Sequence, residues 1–273
     1  MDEIALRQSL RRSPVSEVRS FDTIGSTNDE ALAWVDSGAP DFALVIAGQQ
    51  TQGRGRFNRR WITRPKASLA FSVIFRPTQP ELASPSALFA PLCGLAVWQA
   101  LHENLGLNPQ IKWPNDILLD RQKVCGILVE AAWTGAQLNG IVLGIGINIT
   151  SGSLPPDEAL LFPATWVEKY TSQPVDRFAL LAQVLTAMHS WRSRLGSHEF
   201  LTTWKDHLAF LGEMVSIVEN EKSSIIGIEE GIDAQGNLVL RDKAGKLAFI
   251  EVGDVHLHPV SGEQSLMGGS QHA

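Results

Sequence analysis

A chain of 273 residues with 44% hydrophobic and 19% charged residues has the makeup of an ordinary soluble globular protein, long enough for one large domain and one small one. Its formal net charge is -6, and no stretch approaches the roughly 18 apolar residues of a membrane span. Met1 to Val18 interleaves Asp2, Glu3, Arg7, Arg11 and Arg12, which leaves no apolar signal-peptide core, so a cytoplasmic protein without a membrane partner is expected. Cys93 and Cys125 lie in apolar surroundings without a second cysteine or a histidine at metal-ligand spacing, which predicts buried free thiols and no zinc site. None of the seven scattered histidines is placed like a catalytic group.

In chain order, a strand is expected at about 18–24, then a short helix at 27–37 opened by Ser26 with acids in its first turn and stopped by Gly38. FALVIAG (42–48) and SLAFSVIF (68–75) have the β-branched and aromatic content of strands. Ser84 to Leu105 is expected to be a buried helix ended by Gly106. Strand patterns resume in QIKW, ILL, VCGILVEAAW and LNGIVLGIGINI, with Trp133-Thr134-Gly135-Ala136 turning the last two into a hairpin. A loop with three prolines (151–163) precedes helices at about 175–195 and 197–210. From Gly212 short strands and turns predict a small barrel. The expected organisation is an N-terminal arm (1–17), a large domain (18–211), a barrel (212–260) and a disordered tail (261–273).

Charge is uneven. Phe42 to Pro80 holds seven basic residues and no acidic one, and four of them, Arg54, Arg56, Arg59 and Arg60, fall within GQQTQGRGRFNRRW (48–61). A nucleic-acid binder spreads its cations over a whole face, so one basic loop on an acidic body suits a small anion better. Gly53 and Gly55 would allow close backbone approach and positive φ, exposing N–H groups, while the guanidiniums offer forked donors for phosphate or carboxylate. A merely solvated basic loop is the plainer alternative. The spacing matches neither the phosphate loop nor the dinucleotide fingerprint.

Lys112 ends an apolar strand before a turn at Pro114, Asn115 and Asp116, which would present the ammonium from a rigid base; a snorkelling lysine and two turn-formers are the alternative. Ser26, Thr27 and Asn28 could be a helix cap alone or contacts for a small polar ring, and Gln50, just past its strand, could join them. Gly144 and Gly146 are strand positions without side chains, fit for the flat face of a ligand or for a crossing strand.

In order and spacing, Ser26-Thr27-Asn28, Gln50-x-x-Gly53-Arg54-Gly55-Arg56, Trp61, Lys112-Trp113-Pro114-Asn115-Asp116, Lys123-x-x-Gly126-Ile127-Leu128-Val129-Glu130 and Gly144-Ile145-Gly146-Ile147-Asn148 resemble the biotin protein ligases over about residues 20–150. The terminal region resembles that family's SH3-like barrel more loosely. The resemblance implies an α+β fold related to class II aminoacyl-tRNA synthetases, a mixed, antiparallel-rich sheet backed by helices, plus the small all-β barrel.

It also implies the site. Ser26, Thr27, Asn28 and Gln50 would hold the biotin ureido ring, with Gly126, Leu128, Gly144 and Gly146 lining its apolar slot. Arg54, Gly55, Arg56 and Lys112 would meet the carboxylate of biotin, and Arg54, Arg56, Arg59 and Lys112 the phosphates of ATP. Trp61 would cover adenine, and Asn115 would help place the nucleotide and its Mg2+. The catalytic groups would be Lys112, Arg54 and Arg56, with Asp116 a weak candidate for the base that deprotonates an acceptor lysine. The family loop often has glycine where this chain has Asn58, which tolerates left-handed backbone. Biotin carboxyl carrier protein of acetyl-CoA carboxylase is the implied partner, and a homodimer is left open. Too few residues precede the first strand for a winged helix-turn-helix, so DNA is not an expected partner. A lipoate or octanoyl ligase on the same scaffold is an alternative, against which the polar triplet and Gln50 argue; a nucleic-acid-binding module is the alternative from another class.

Overall fold

The computed structural model describes residues 1–84, 86–154, 162–220, 223–251 and 256–259. The predicted tail (261–273) and residues 155–161 of the three-proline loop lie outside them. The chain divides into two units, Met1–Ala209 and Phe210–Ala273.

The larger unit is built on a seven-stranded sheet. Its strands are β1 (Val18–Ile24), β2 (Ala43–Gln50), β3 (Ser68–Phe75), β4 (Gln110–Lys112), β5 (Asp116–Leu119), β6 (Gln122–Thr134) and β7 (Gln137–Asn148), in the order β1-β2-β3-β7-β6-β5-β4. Only the β1–β2 pair is parallel. The helices are α1 (Glu3–Leu10), α2 (Thr27–Asp36), α3 (Gln79–Ala83), α4 (Phe89–Leu105), α5 (Arg177–Arg192) and α6 (His198–Asp206). Asp176 and Ser197 cap α5 and α6 by accepting from their first-turn N–H groups, and Gly106 ends α4 at φ 66.

Alternation along the strands sends successive side chains to opposite faces. Ala31, Trp34 and Val35 of α2 pack with Ala43, Val45, Ile74, Ala132 and Val142 on one face of the sheet. The helix α4, apolar until its last turns, faces the other, where Gly94 lies close to Ile111 and Ile117. Burial on both faces explains why β3 is buried along its whole length.

Two elements differ from expectation. The N-terminal arm carries α1, capped by Asp2 and buried at Leu6, because a helix this short has too few periodic positions to stand out in sequence. The helix expected from Ser84 begins only at Phe89 and follows the separate α3, which a capping box of Thr78 and Glu81 opens with Pro80 near its start.

The C-terminal unit is a five-stranded antiparallel sheet of β8 (Met214–Asn220), β9 (Ser223–Ile232), β10 (Leu238–Arg241), β11 (Leu247–Ile250) and β12 (His256–Pro259), ordered β11-β10-β9-β8-β12. Glu229 of β9 is 1% exposed, and neither carboxylate oxygen meets a hydrogen-bond donor among the described residues. Burial, with Glu213 nearby, pushes its pKa up to about 8 from 4.5. The fold therefore accepts the protonated acid, and the associated stability is complete below about pH 4.5 and lost as pH rises through about 8. Glu229→Gln should match the parent within about 1 kcal/mol at pH 4.5 and exceed it by roughly 3 to 5 kcal/mol at pH 9. Amide hydrogen exchange in β9 across this range is the measurement, and a parent protein equally protected at both pH values would contradict the assignment.

Candidate functional site

Strand register lays out the site. Ala47, Ala70, Gly146 and Gly126 are successive cross-strand partners on β2, β3, β7 and β6, forming a row of small residues. The same row continues through Asp116 of β5 to Lys112 of β4. The adjacent row runs Val45, Ser72, Gly144 and Leu128. Directly paired residues share a face, so a flat floor of small side chains ends at a carboxylate and an ammonium.

Above this floor stands the N-terminus of α2. Ser26 accepts from the Asp29 N–H at 3.4 Å and is 3% exposed. Thr27 places its N–H and its hydroxyl 2.8 and 3.1 Å from Gln50 Oε1, and the Gln50 amide nitrogen donates to Thr63 Oγ1 at 3.0 Å. Asn28 points down between strands: its Nδ2 donates to Glu130 Oε2 at 2.7 Å and to the Leu128 carbonyl at 3.3 Å, and its Oδ1 lies 2.6 Å from Ser72 Oγ. A Cβ on Gly144 would come 2.1 Å from Asn28 Oδ1, so this glycine makes room for the asparagine and not for an open slot.

The basic loop is a short hairpin. Trp61 N–H donates to the Gly53 carbonyl at 2.9 Å, Gly55 N–H to the Arg59 carbonyl at 2.7 Å, and Arg54 bridges to Arg60. The positive φ expected at the glycines and at Asn58 falls at Phe57 (φ 57), while Gly55 is extended (φ -127) with its N–H already used. Arg54 is forked on Glu130, with 2.9 Å to each oxygen, and also holds Asp29. Its expected place on a ligand anion is thus taken by two carboxylates of the protein, which together raise its pKa against the lowering effect of burial. Arg56 approaches Asn115 Oδ1 at 3.4 Å, and Asn115 Nδ2 donates to the Ile127 carbonyl at 2.6 Å, tying the hairpin tip to β6.

Trp61 lies flat on the floor. A Cβ on Gly146 would be 2.3 Å from its indole and one on Gly126 2.9 Å, so both glycines are explained by the ring that covers them. The indole N–H is buried without an acceptor among the described residues.

Lys112, Lys123 and Arg59 surround Asp116. Lys123 Nζ is 2.6 Å from Asp116 Oδ1 and 5.7 Å from the centre of the Trp61 ring, while Lys112 Nζ is 3.7 Å from Oδ2 and 4.5 Å from the Phe162 ring. Burial lowers the pKa of Lys112, with Lys123 and Arg59 adding to the drop against Asp116. Burial would raise the Asp116 pKa, yet Lys123, Lys112 and Arg59 bring it below its ordinary value. Burial dominates the first shift and opposes the second, and the surplus of positive charge around one carboxylate acts in the observed direction on both groups. Asp116 is therefore a pinned counter-ion with lowered basicity, which corrects its candidacy as the base.

Lys123, Ser72, Thr63 and Glu130 were given no role in sequence. For Lys123 the reason is local. Strict alternation puts it opposite to Gly126, but β6 carries one extra residue, Val124, between the partners of Ile117 and Leu118, and this bulge re-aims the lysine to the Asp116 side. Cys93 and Cys125 are buried and free, and burial raises both thiol pKa values.

Gly146→Ala should lift the indole. Overpacking of this kind costs roughly 1 to 3 kcal/mol, so the hairpin should open about five- to a hundredfold more often. Trypsin cleavage after Arg54, Arg56, Arg59 or Arg60 reports it, and an unchanged cleavage rate would show that Trp61 does not anchor the loop.

Residues 21–148 match the biotin/lipoate A/B protein ligase family, and 210–267 match the biotin protein ligase C-terminal domain. The chain is 34% identical to a biotin–acetyl-CoA-carboxylase ligase of Paracoccus denitrificans, covering 81% of this chain and 92% of that protein. A ligase of the same name from Mycobacterium tuberculosis is 30% identical, covering 93% and 95%. The biotin protein ligase of Aquifex aeolicus, solved in complex with biotin and ATP, superposes with a TM-score of 0.77 at 25% identity, covering 90% of this chain and all of that one.

Proposed function

Because the chain belongs to the biotin/lipoate A/B protein ligase family, we propose that it is a biotin protein ligase whose two substrate ends are recognised at opposite ends of the small-residue floor. The carrying observation is that floor, with amide and hydroxyl oxygens of Gln50 and Thr27 above it and the Lys112–Asp116–Lys123 cluster closing it. A ureido ring supplies N–H donors to the first, and a carboxylate meets the second. Lipoate or octanoate, on the same scaffold, brings no ring N–H for Thr27 and Gln50.

The first step joins two anions: an oxygen of the biotin carboxylate attacks the α-phosphorus of ATP, and pyrophosphate leaves. Their repulsion is the barrier that fixed cations reduce. Lys112, Lys123, Arg59 and Arg56 are assigned that role, with Asn115 positioning Arg56 and the nucleotide. Arg54 is assigned to hold the hairpin shut. Trp61, under the hairpin, is assigned to shield the adenylate, a mixed anhydride that water would hydrolyse. In the second step the amine of an acceptor lysine attacks the acyl carbon and AMP leaves. The acceptor is assigned to the biotin carboxyl carrier protein of acetyl-CoA carboxylase, in the cytoplasm.

Among the described residues no three His, Cys, Asp or Glu side chains converge as a metal site, and Asp116 is already neutralised by lysines. This donor set makes no cage for magnesium, so the ion is assigned to the triphosphate oxygens and water.

Protein incubated with biotin and MgATP without acceptor should retain biotinyl-5′-AMP, detectable by mass spectrometry under native conditions; a lipoyl or octanoyl adenylate formed in preference would replace the substrate assignment. Lys112→Met and Lys123→Met should each remove about 2 to 4 kcal/mol of transition-state stabilisation, slowing pyrophosphate release roughly thirty- to a thousandfold. Release at the parental rate would take that lysine out of the mechanism.

A further inference from the structure

Ser72 is fully buried at the middle of β3 and belongs to none of the sequence motifs. Its neighbours fix where its proton goes. The Thr27 N–H can only donate, so the atom 2.8 Å away is the carbonyl oxygen of Gln50, and the Gln50 nitrogen is the one turned to Thr63. The Asn28 nitrogen likewise faces Glu130 and the Leu128 carbonyl, leaving Asn28 Oδ1 as a pure acceptor 2.6 Å from Ser72 Oγ. Ser72 has one proton, and Asn28 Oδ1 takes it. The 2.8 Å contact between Ser72 Oγ and Thr27 Oγ1 then requires the Thr27 proton.

With its proton turned toward Ser72, Thr27 Oγ1 faces Gln50 Oε1 at 3.1 Å with lone pairs only. Two acceptors at that separation, at the start of α2 above the β2 end of the floor, want a shared donor. We infer that Ser72 is a positioning residue: by holding the Thr27 proton away from Gln50, it makes this oxygen pair select a ring that brings an N–H. The inference rests on the biotin ligase assignment and deepens it, since Ser72 acts through Thr27 and sets what that residue can accept.

In Ser72→Ala the Thr27 hydroxyl is released to donate to Gln50 Oε1, and the acceptor pair is lost. The test is pyrophosphate release by the intact protein with biotin and with its two cyclic carbamate analogues, in each of which one ring N–H is replaced by oxygen. The KM for biotin should rise about tenfold, the weight of one hydrogen bond, with kcat changed less than about twofold. The preference for biotin over one of the two analogues should fall at least about tenfold, because a freed hydroxyl can donate to the ring oxygen that two fixed acceptors reject.

A raised KM with both preferences unchanged would mean that Ser72 only fills space, and an unchanged KM would overturn the inference outright. Ser72→Cys, close in volume but a poor hydrogen-bonding group, repeats the measurement if Ser72→Ala fails to fold. Parent protein that releases no pyrophosphate with biotin would remove the substrate assignment and this role with it. Parent that turns over biotin and both carbamates equally would remove the role alone.

Discussion

The site depends on one buried side chain, Asn28. Its amide joins α2 to β3 through Ser72 and to β6 through Leu128 and Glu130, and Glu130 in turn forks Arg54 of the basic hairpin. A polar side chain 4% exposed is tolerable only when its hydrogen-bonding groups are satisfied, as these are. The geometry exists because Gly144 has no Cβ where the amide must lie. Helix, sheet and loop are thereby fixed to one another through hydrogen bonds that neutral and charged partners share.

From the same network follows a division of labour among the arginines. Arg54 spends its charge on Asp29 and Glu130, which anchors the base of the hairpin, and Arg56 reaches Asn115 at the tip. The hairpin is consequently held at two points. Surplus positive charge lies elsewhere, where Lys112 and Lys123 with Arg59 crowd one carboxylate. An acidic protein can afford that surplus because it is confined to one end of one sheet row.

Much of this was legible in sequence. The strand pattern with the hairpin at Gly135 and the helix stops at Gly38 and Gly106 are all local signals, and the structure has them. Of the motif residues, Lys112, Asp116, Gly126, Leu128, Gly144 and Gly146 share one face of the sheet. What sequence hid was pairing. Ser72 sits in an apolar strand and looks like filler until the register sets it against Gly144. Lys123 is three residues before Gly126, a spacing that alternation assigns to the wrong face, and only the bulge at Val124 corrects it. Arg54 looked like an anion binder because its two carboxylate partners are 25 and 76 residues away.

The glycines illustrate the limit from the other side. Gly126, Gly144 and Gly146 announce a place where something must approach the sheet closely, and sequence cannot say what. In this structure the approaching groups are the Trp61 indole and the Asn28 amide, both from the protein itself. A floor built so flat that a tryptophan ring can lie on it is equally a floor for another planar ring. The indole N–H, without an acceptor among the described residues, makes the cover incomplete as a permanent packing arrangement, since a buried unpaired donor costs roughly 1 to 3 kcal/mol. Closure by Trp61 is therefore weaker than its contact area suggests, and under the proposed role of Trp61 that weakness suits a cover over a reaction site: firm enough to exclude water while the adenylate is present, and loose enough to lift once the acyl group has left.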